Sequence, residues 1–327
     1  MGFSLGKQRI SAPVILAPLA GITDLPFRNL VSSFGAGLVV SEMIASGEFL
    51  TARPGTREKA ELGAQIENTS VQIAGRDAGA MSEAAKRVAD MGARVIDINM
   101  GCPAKKVTGG WSGSALMQMP DHALSLIEAV VAAVDVPVTL KTRLGWDGAS
   151  INAPVLASRA VQAGVQMVVI HGRTRCQFYK GRADWHAIRA VREAIDVPLI
   201  ANGDIVGSGS ARAALRGSGA DGVMVGRGTQ GAPWKLAEIS AALYGTPQPD
   251  IPYGKAFSDM VSGHYEAMLG FYGEVLGNRC ARKHLGWYMD RAATPRALRA
   301  RVLTEKSSAE VLRLLPEALA NDMQEAA

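Results

Sequence analysis

The sequence predicts an α/β chain: a (β/α)8 TIM barrel followed by a small C-terminal helical bundle. Three observations carry that expectation. Short β-branched runs alternate with helical patterns at an even spacing from residue 13 to about 244, and eight such units can be counted. Together they occupy about 230 residues, close to the ~250 that such a barrel takes. Three prolines then fall between Thr246 and Pro252, and everything after them reads as helix.

In order, the expected strands are 14–16, 38–40, 70–73, 95–98, 138–141, 167–170, 199–201 and 222–225. Helical patterns at 78–91, 123–134, 154–163 and 187–194 separate them. A doubly wound sheet is the rival architecture, but Ala17-Pro18-Leu19-Ala20-Gly21 after the first strand lacks the Gly-x-Gly-x-x-Gly that it needs. The proline-rich break divides the chain into a barrel over 1–245 and a helical unit over 253–327. Within the latter, helices are expected at 255–272, 277–291, 295–303 and 309–320.

Composition bounds the function. With 327 residues, 48% of them hydrophobic, the chain can bury a large core. The apolar stretch Ile10 to Ile22 is interrupted by two prolines and a glycine and is too short for a membrane span or a secretory signal. Position 6 is Gly, not the Ser or Thr of a myristoylation signal. A cytoplasmic monomer with no membrane partner is the expectation. Three cysteines without a Cys-x-x-Cys pair argue against a disulfide framework, a zinc site or an iron-sulfur cluster, so no metal is expected. Residues 279 to 306 hold eight Lys or Arg against Asp290 and Glu305, a net +6, whereas the other 299 residues sum to −1. A polyanion docking on that one segment fits the imbalance.

Barrels of this kind carry their chemistry at the C-terminal ends of the strands. Here those ends hold Gln72, Asn99 with Cys102, Lys141, His171 with Arg173, Asn202 with Asp204, and Arg227. One such residue is commonly structural; six strand ends that agree indicate a site. The loops Ala201-Asn202-Gly203-Asp204 and Val225-Gly226-Arg227-Gly228 end strands seven and eight, where barrels bind phosphate with backbone amides. Lys141, flanked by apolar Val138 and Leu140, is expected to point inward. There it serves as a Schiff-base lysine, as a cation beside a reduced flavin, or as half of a buried ion pair with Asp97 or Glu42. Cys102 sits in a rigid Gly-Cys-Pro loop. A thiol is mostly protonated at neutral pH, so it suits a general acid, whereas a nucleophilic thiolate needs an adjacent base or cationic field. Cys176 and Cys280 read as inert.

Taken together, Ala17-Pro18-Leu19-Ala20-Gly21-Ile22-Thr23-Asp24, Val71-Gln72-Ile73, Asp97-Ile98-Asn99-Met100-Gly101-Cys102-Pro103, His171-Gly172-Arg173-Thr174, Ala201-Asn202-Gly203-Asp204 and Gly226-Arg227 resemble the bacterial tRNA-dihydrouridine synthases. Residues 99–107 look like the B subgroup, once described as nitrogen-regulation proteins, and Ala281-Arg282-Lys283-His284 with Trp287-Tyr288 agrees. The resemblance implies FMN held by the backbone of Pro18, Leu19 and Ala20. It places Gln72, Lys141 and His171 at the ring or ribityl chain, and Asn202, Gly203, Asp204, Gly226 and Arg227 near the phosphate. It further implies NADPH as a transient hydride donor, tRNA as the substrate, Cys102 as the acid that protonates C5, and Asn99 and Arg173 on the uracil.

The basic C-terminal segment then becomes the RNA-docking surface. Arg279, Arg282 and Lys283, at i, i+3 and i+4, share one helical face, though a merely solvated face is the alternative. Gly109-Gly110-Trp111-Ser112 departs from relatives, which more often carry basic or polar residues there; Trp111 either touches substrate or packs the loop. Three rival functions stay open: a reductase or dehydrogenase of free pyrimidines, a lysine-dependent aldolase using Lys141, and an RNA-binding factor without activity.

Overall fold

The β-branched runs pair with one another in parallel, and the pairing closes. In the computed structural model of the chain, which describes residues 2–51, 58–59, 61–63 and 68–320, eleven strands are present among the described residues: β1 (Phe3–Leu5), β2 (Gln8–Ile10), β3 (Val14–Leu16), β4 (Leu38–Val40), β5 (Ile44–Ala45), β6 (Thr69–Ala74), β7 (Val95–Met100), β8 (Val138–Arg143), β9 (Met167–His171), β10 (Leu199–Asn202) and β11 (Gly222–Val225). Around the barrel the order is β3, β4, β6, β7, β8, β9, β10, β11 and back to β3. Val39 opposite Thr69 joins β4 to β6, and Val223 opposite Val14 closes the last strand on the first. Short β5 extends the edge of β6, with Ile44 opposite Ile73.

Strands covered on both faces carry apolar residues at successive positions, which is why they are visible as continuous runs. The two-residue period sorts them. Val71, Ile73, Ile96, Ile98, Leu140 and Ile170 point outward and form the larger core under the surrounding helices. Ile15, Val40, Val95, Val169, Ile200 and Met224 point inward. Leu5 and Ile10 join this inner cluster from the β1–β2 hairpin, which plugs the N-terminal end of the barrel. The hairpin was not expected: its strands are three residues each, and its turn rests on Gly6 at φ 54°, the left-handed region that glycine occupies freely.

Helices Ala78–Asp90, Pro120–Val131 and Ala153–Gln162 match the periodic segments within a few residues. The helix expected at 187–194 shrinks to one turn, Arg189–Arg192. Helices Leu25–Ser33, Ser208–Ser218 and Lys235–Tyr244 were not anticipated. The first had a legible start, because Asp24 caps it by accepting the Phe27 N–H at 3.0 Å and Pro26 follows in the first turn.

Beyond Tyr244 no helix or strand occurs until Lys255. Helices Lys255–Tyr272, Glu274–Arg291, Arg296–Thr304 and Ser308–Ala318 then pack around Phe257, Val261, Tyr265, Leu285, Tyr288 and Leu314. Gly277 makes the first crossing possible, since a Cβ there would lie 2.6 Å from the Met268 carbonyl oxygen. Trp234 reaches into this second core and meets Phe257 edge-on at 6.1 Å. The Tyr272 hydroxyl donates to Asp24 at 3.1 Å, fixing the helices against the loop that follows β3. Among the described residues no helix is long and apolar enough to cross a membrane.

Candidate active site

At the C-terminal mouth of the barrel the inward positions change from apolar to polar. Register makes neighbours of Gln72 and Asp97, of Asn99 and Lys141, of Arg143 and His171, and of His171 and Asn202. Gln72, Asn99, Lys141, Arg143, His171 and Asn202 line a cavity of about 720 Å³. Pro18, Leu19, Ala20, Cys102, Gly203, Asp204, Gly226 and Arg227 line it too, so most of the expected site is brought together.

A chain of hydrogen bonds holds the ring. Thr139 Oγ1 and Gln72 Nε2 each donate to the Asp97 carboxylate at 2.6 Å. Gln72 Oε1 accepts from Asn99 Nδ2 at 2.7 Å. Asn99 Oδ1 in turn accepts the backbone N–H groups of Gly101 at 3.0 Å and Cys102 at 2.9 Å. From the other side, the N–H and hydroxyl of Ser114 donate to the Cys102 carbonyl at 3.1 and 2.8 Å. The half-buried thiol therefore hangs from a backbone fixed at both ends.

Burial and charge set the protonation states. Burial pushes the Asp97 carboxyl up to about 6, opposed by the bonds from Thr139 and Gln72 and by the Lys141 charge. Burial pulls the Lys141 ammonium down to about 8, with Arg143 adding to the effect and Asp97 opposing it. Lys141 Nζ donates to Asn202 Oδ1 at 3.2 Å instead of pairing with a carboxylate, and Asn202 Nδ2 donates to the Met224 carbonyl at 2.8 Å. His171 is held well below the usual imidazole range by burial and by the positive charges of Lys141, Arg143, Arg173 and Arg227. It is neutral. Arg173 Nη1, which can only donate, lies 3.3 Å from His171 Nε2, so the ring proton sits on Nδ1.

The loops after β10 and β11 form the other wall. Gly203 has φ 115°, and a Cβ there would lie 2.8 Å from the Ala183 side chain, so glycine is required. Asp204 accepts from Arg173 at 2.9 and 2.6 Å, from the Ala183 N–H at 2.7 Å and from Arg227 at 3.2 Å. Burial acts to raise its pKa, but these bonds, led by Arg173, outweigh that and hold the carboxyl below its usual range. Gly228 lets the two loops touch: a Cβ would lie 2.8 Å from the Ile205 carbonyl oxygen. Among the described residues the N–H groups of Gly203, Gly226 and Arg227 find no protein acceptor. The residues that carry these three amides, and with them the Arg227 guanidinium, all line the cavity.

Several expected residues sit differently. Arg173, anticipated on the substrate base, is 1% exposed and does not line the cavity. It is occupied by Asp204, by the carbonyls of Lys180 at 3.1 Å and Gly181 at 2.7 Å, and by His171. It orients Asp204, which orients Arg227. Leu19 has its backbone committed, its N–H to Thr23 Oγ1 at 2.9 Å and its carbonyl to Ile22 and Thr23, each at 3.0 Å. Arg279, Arg282 and Lys283 lie outside the cavity on helix Glu274–Arg291, with Arg279 and Lys283 exposed and Arg282 half-buried. Lys283 Nζ nevertheless reaches the Gly21 carbonyl at 3.3 Å, beside cavity-lining Ala20.

A family model described as Dihydrouridine synthase matches residues 15–324. This chain belongs to the dihydrouridine synthase family. A Rhodobacter capsulatus protein named probable tRNA-dihydrouridine synthase is 64% identical over 320 residues, covering 97% of this chain and 98% of that one. One of the same name from Rhizobium leguminosarum bv. phaseoli is 56% identical over 94% of this chain and 95% of that one. The tRNA-dihydrouridine synthase B of Vibrio vulnificus is 46% identical, covering 87% and 88%. Among solved structures, histamine dehydrogenase from Rhizobium sp. 4-9 shares the barrel fold, with a TM-score of 0.57 at 13% identity over 81% of this chain; the chain spans 50% of that protein.

Within this dihydrouridine synthase two side chains at the cavity had escaped the sequence reading. Arg143 donates to the carbonyls of Gly101 at 2.8 Å and of Thr174 and Phe178, each at 2.9 Å, so it ties the thiol loop to the loop after β9. Its guanidinium lies 5.5 Å from the centre of the Tyr179 ring, and Arg227 approaches the same ring at 5.3 Å. Arg143 was within reach, two residues beyond Lys141 on the same strand face. Tyr179 sits in an irregular loop, where no periodicity marks it.

Proposed function

We propose that this enzyme reduces the C5–C6 double bond of a uridine in tRNA to 5,6-dihydrouridine, using FMN that NADPH reduces, with Cys102 as the proton donor. One observation carries the reading. The cavity is lined by a thiol, by the three cations Lys141, Arg143 and Arg227, and by residues with unpaired backbone amides, three features that the two halves of such a reduction require.

The residues fit FMN. The unpaired N–H groups of Gly203, Gly226 and Arg227, with the Arg227 guanidinium, suit a phosphate that needs several donors. Met224, Ala17, Pro18 and Leu19 offer an apolar wall for a flat ring system, and Gln72, Lys141 and His171 offer donors at its polar edge. Bound there, FMN supplies the hydride that enters C6 of the uracil.

A hydride at C6 leaves negative charge at C5 and the neighbouring carbonyl. Cys102 delivers a proton to C5, and the cations of Lys141 and Arg143, both within electrostatic reach of its sulfur, stabilise the thiolate left behind. Asn99 spends its oxygen and one amide hydrogen on the loop and Gln72, which leaves its second Nδ2 hydrogen for a base carbonyl. A base inside folded RNA must leave its stack to enter. We assign residues 1–245 to the cofactor and the chemistry. Residues 253–327, of which 321–327 lie outside the described residues, dock the tRNA in the cytoplasm, with Arg279 and Lys283 on the RNA side and half-buried Arg282 supporting them.

Purified protein incubated with NADPH and unmodified tRNA should bind FMN and form dihydrouridine. Turnover of free pyrimidines alone, with none on tRNA, would contradict the proposal.

A further inference from the structure

A bulky aromatic side chain stands exposed on the loop that follows the proton donor. Trp111 is 54% exposed. Its φ is 56°, a conformation that bulky side chains rarely adopt and that clusters at ligand-contacting sites. The strain is held in place from both sides. The Trp111 N–H donates to the Thr108 carbonyl at 3.1 Å, and Gly113 presses so closely on the thiol loop that a Cβ there would lie 2.8 Å from the Cys102 carbonyl oxygen. Trp111 is therefore positioned relative to Cys102.

Cations outnumber carboxylates around its loop, where Lys59, Arg76 and Lys106 line a hollow with Gly110 and Ser112 against Glu48 and Asp77. Exposed Lys105 and Lys106 begin the turn that leads to it. Arg76 reaches the Gly110 carbonyl at 3.5 Å, and Arg175 reaches the Thr108 hydroxyl at 3.4 Å. From residue 98 to residue 120 the sequence has no Asp or Glu. An exposed aromatic face among cations, with no carboxylate on its own segment, is the arrangement that binds single-stranded nucleic acid: bases stack on the ring and phosphates meet the charges.

We propose that Trp111 stacks on the base of a nucleotide that flanks the target uridine, while Lys105, Lys106 and Arg76 hold the phosphates on either side. Turning the uridine into the cavity removes a stacking partner from its neighbour, and the indole takes that place. The proposal rests on the reading that a tRNA uridine is presented to Cys102.

Two variants test it, assayed as holoenzyme with NADPH and unmodified tRNA. Trp111→Gly suits the left-handed φ, so thermal unfolding should show no loss of stability, yet KM for tRNA should rise about 5- to 150-fold, as expected for one lost base–aromatic stack. The loss falls on KM more than on kcat. Trp111→Phe keeps a stacking face and should recover most of the affinity. A tRNA made abasic at the flanking position should weaken binding to the native enzyme, with little further effect of Trp111→Gly. Unchanged KM in Trp111→Gly, or equal losses in the Gly and Phe variants, overturns the stacking role while the function stands. If the native enzyme makes no dihydrouridine from any tRNA, the function falls and the stacking role with it.

Discussion

The side-chain oxygen of Asn99 accepts the backbone N–H of Cys102 at 2.9 Å, while its amide nitrogen donates to Gln72 at 2.7 Å. Through this one amide, the position of the thiol depends on a hydrogen-bonded chain that ends at buried Asp97. The aim of the thiol is thus built into strands β6 and β7 as well as into its own loop, where Ser114 holds the Cys102 carbonyl.

Asn99→Ala should expose that dependence. It leaves two backbone N–H groups and the Gln72 oxygen without partners near the barrel interior, a loss of about 2 to 4 kcal/mol by the cost of orphaned polar groups. Urea unfolding measures this, and dihydrouridine yield should fall alongside. A variant as stable and active as the native protein would show that the loop holds itself.

Arg173 gives a second test, because its expected role and its observed place differ. Buried against Asp204 at 2.6 Å, it serves the fold of the loops after β9 and β10. Arg173→Met should cost about 1 to 3 kcal/mol by removing the charge-assisted bonds to Asp204 and to the Lys180 and Gly181 carbonyls, and weaken FMN retention by loosening Asp204 and with it Arg227. Adding Asp204→Asn should recover part of the loss. If Arg173→Met instead keeps FMN and full thermal stability while raising KM for tRNA, the arginine contacts the substrate after all.

A pH dependence follows from Asp24, which caps helix Leu25–Ser33 and receives the Tyr272 hydroxyl. Burial raises its carboxyl from 3.8 to about 6. The folded state therefore holds this proton to a higher pH than the unfolded chain does. Its contribution to stability is fully present below pH about 4 and is lost as pH rises through 6. Asp24→Asn removes that titration, so the stability difference, variant minus native, should climb between pH 4 and 6 by about 2 to 3 kcal/mol and then level off. Urea unfolding at several pH values reads it; a difference that stays flat would refute the buried, proton-retaining carboxyl.

Much of this was legible in the sequence, for identifiable reasons. Parallel barrel strands are covered on both faces, so all eight stand out as β-branched runs, and a two-residue period sends Gln72, Asn99 and Lys141 to one interior. What escaped depended on chain end points and on loops. Strand β8 runs to Arg143, two residues past the expected end at Lys141, and the missing cation lies there. Whether Arg173 faces substrate or protein is decided by Asp204, 31 residues away and held at φ 55° in a different loop. Spacing placed Arg279, Arg282 and Lys283 on one face, but how deeply each is buried depends on packing between helices, which leaves Arg282 half-covered.

In the proposed function Cys102 delivers the proton and does nothing earlier. Cys102→Ala, given NADPH and unmodified tRNA, is the direct measurement: the bound flavin should still be reduced by NADPH, while dihydrouridine formation falls by about 10²- to 10⁴-fold, the usual worth of a general acid. Product forming at the native rate would contradict the account.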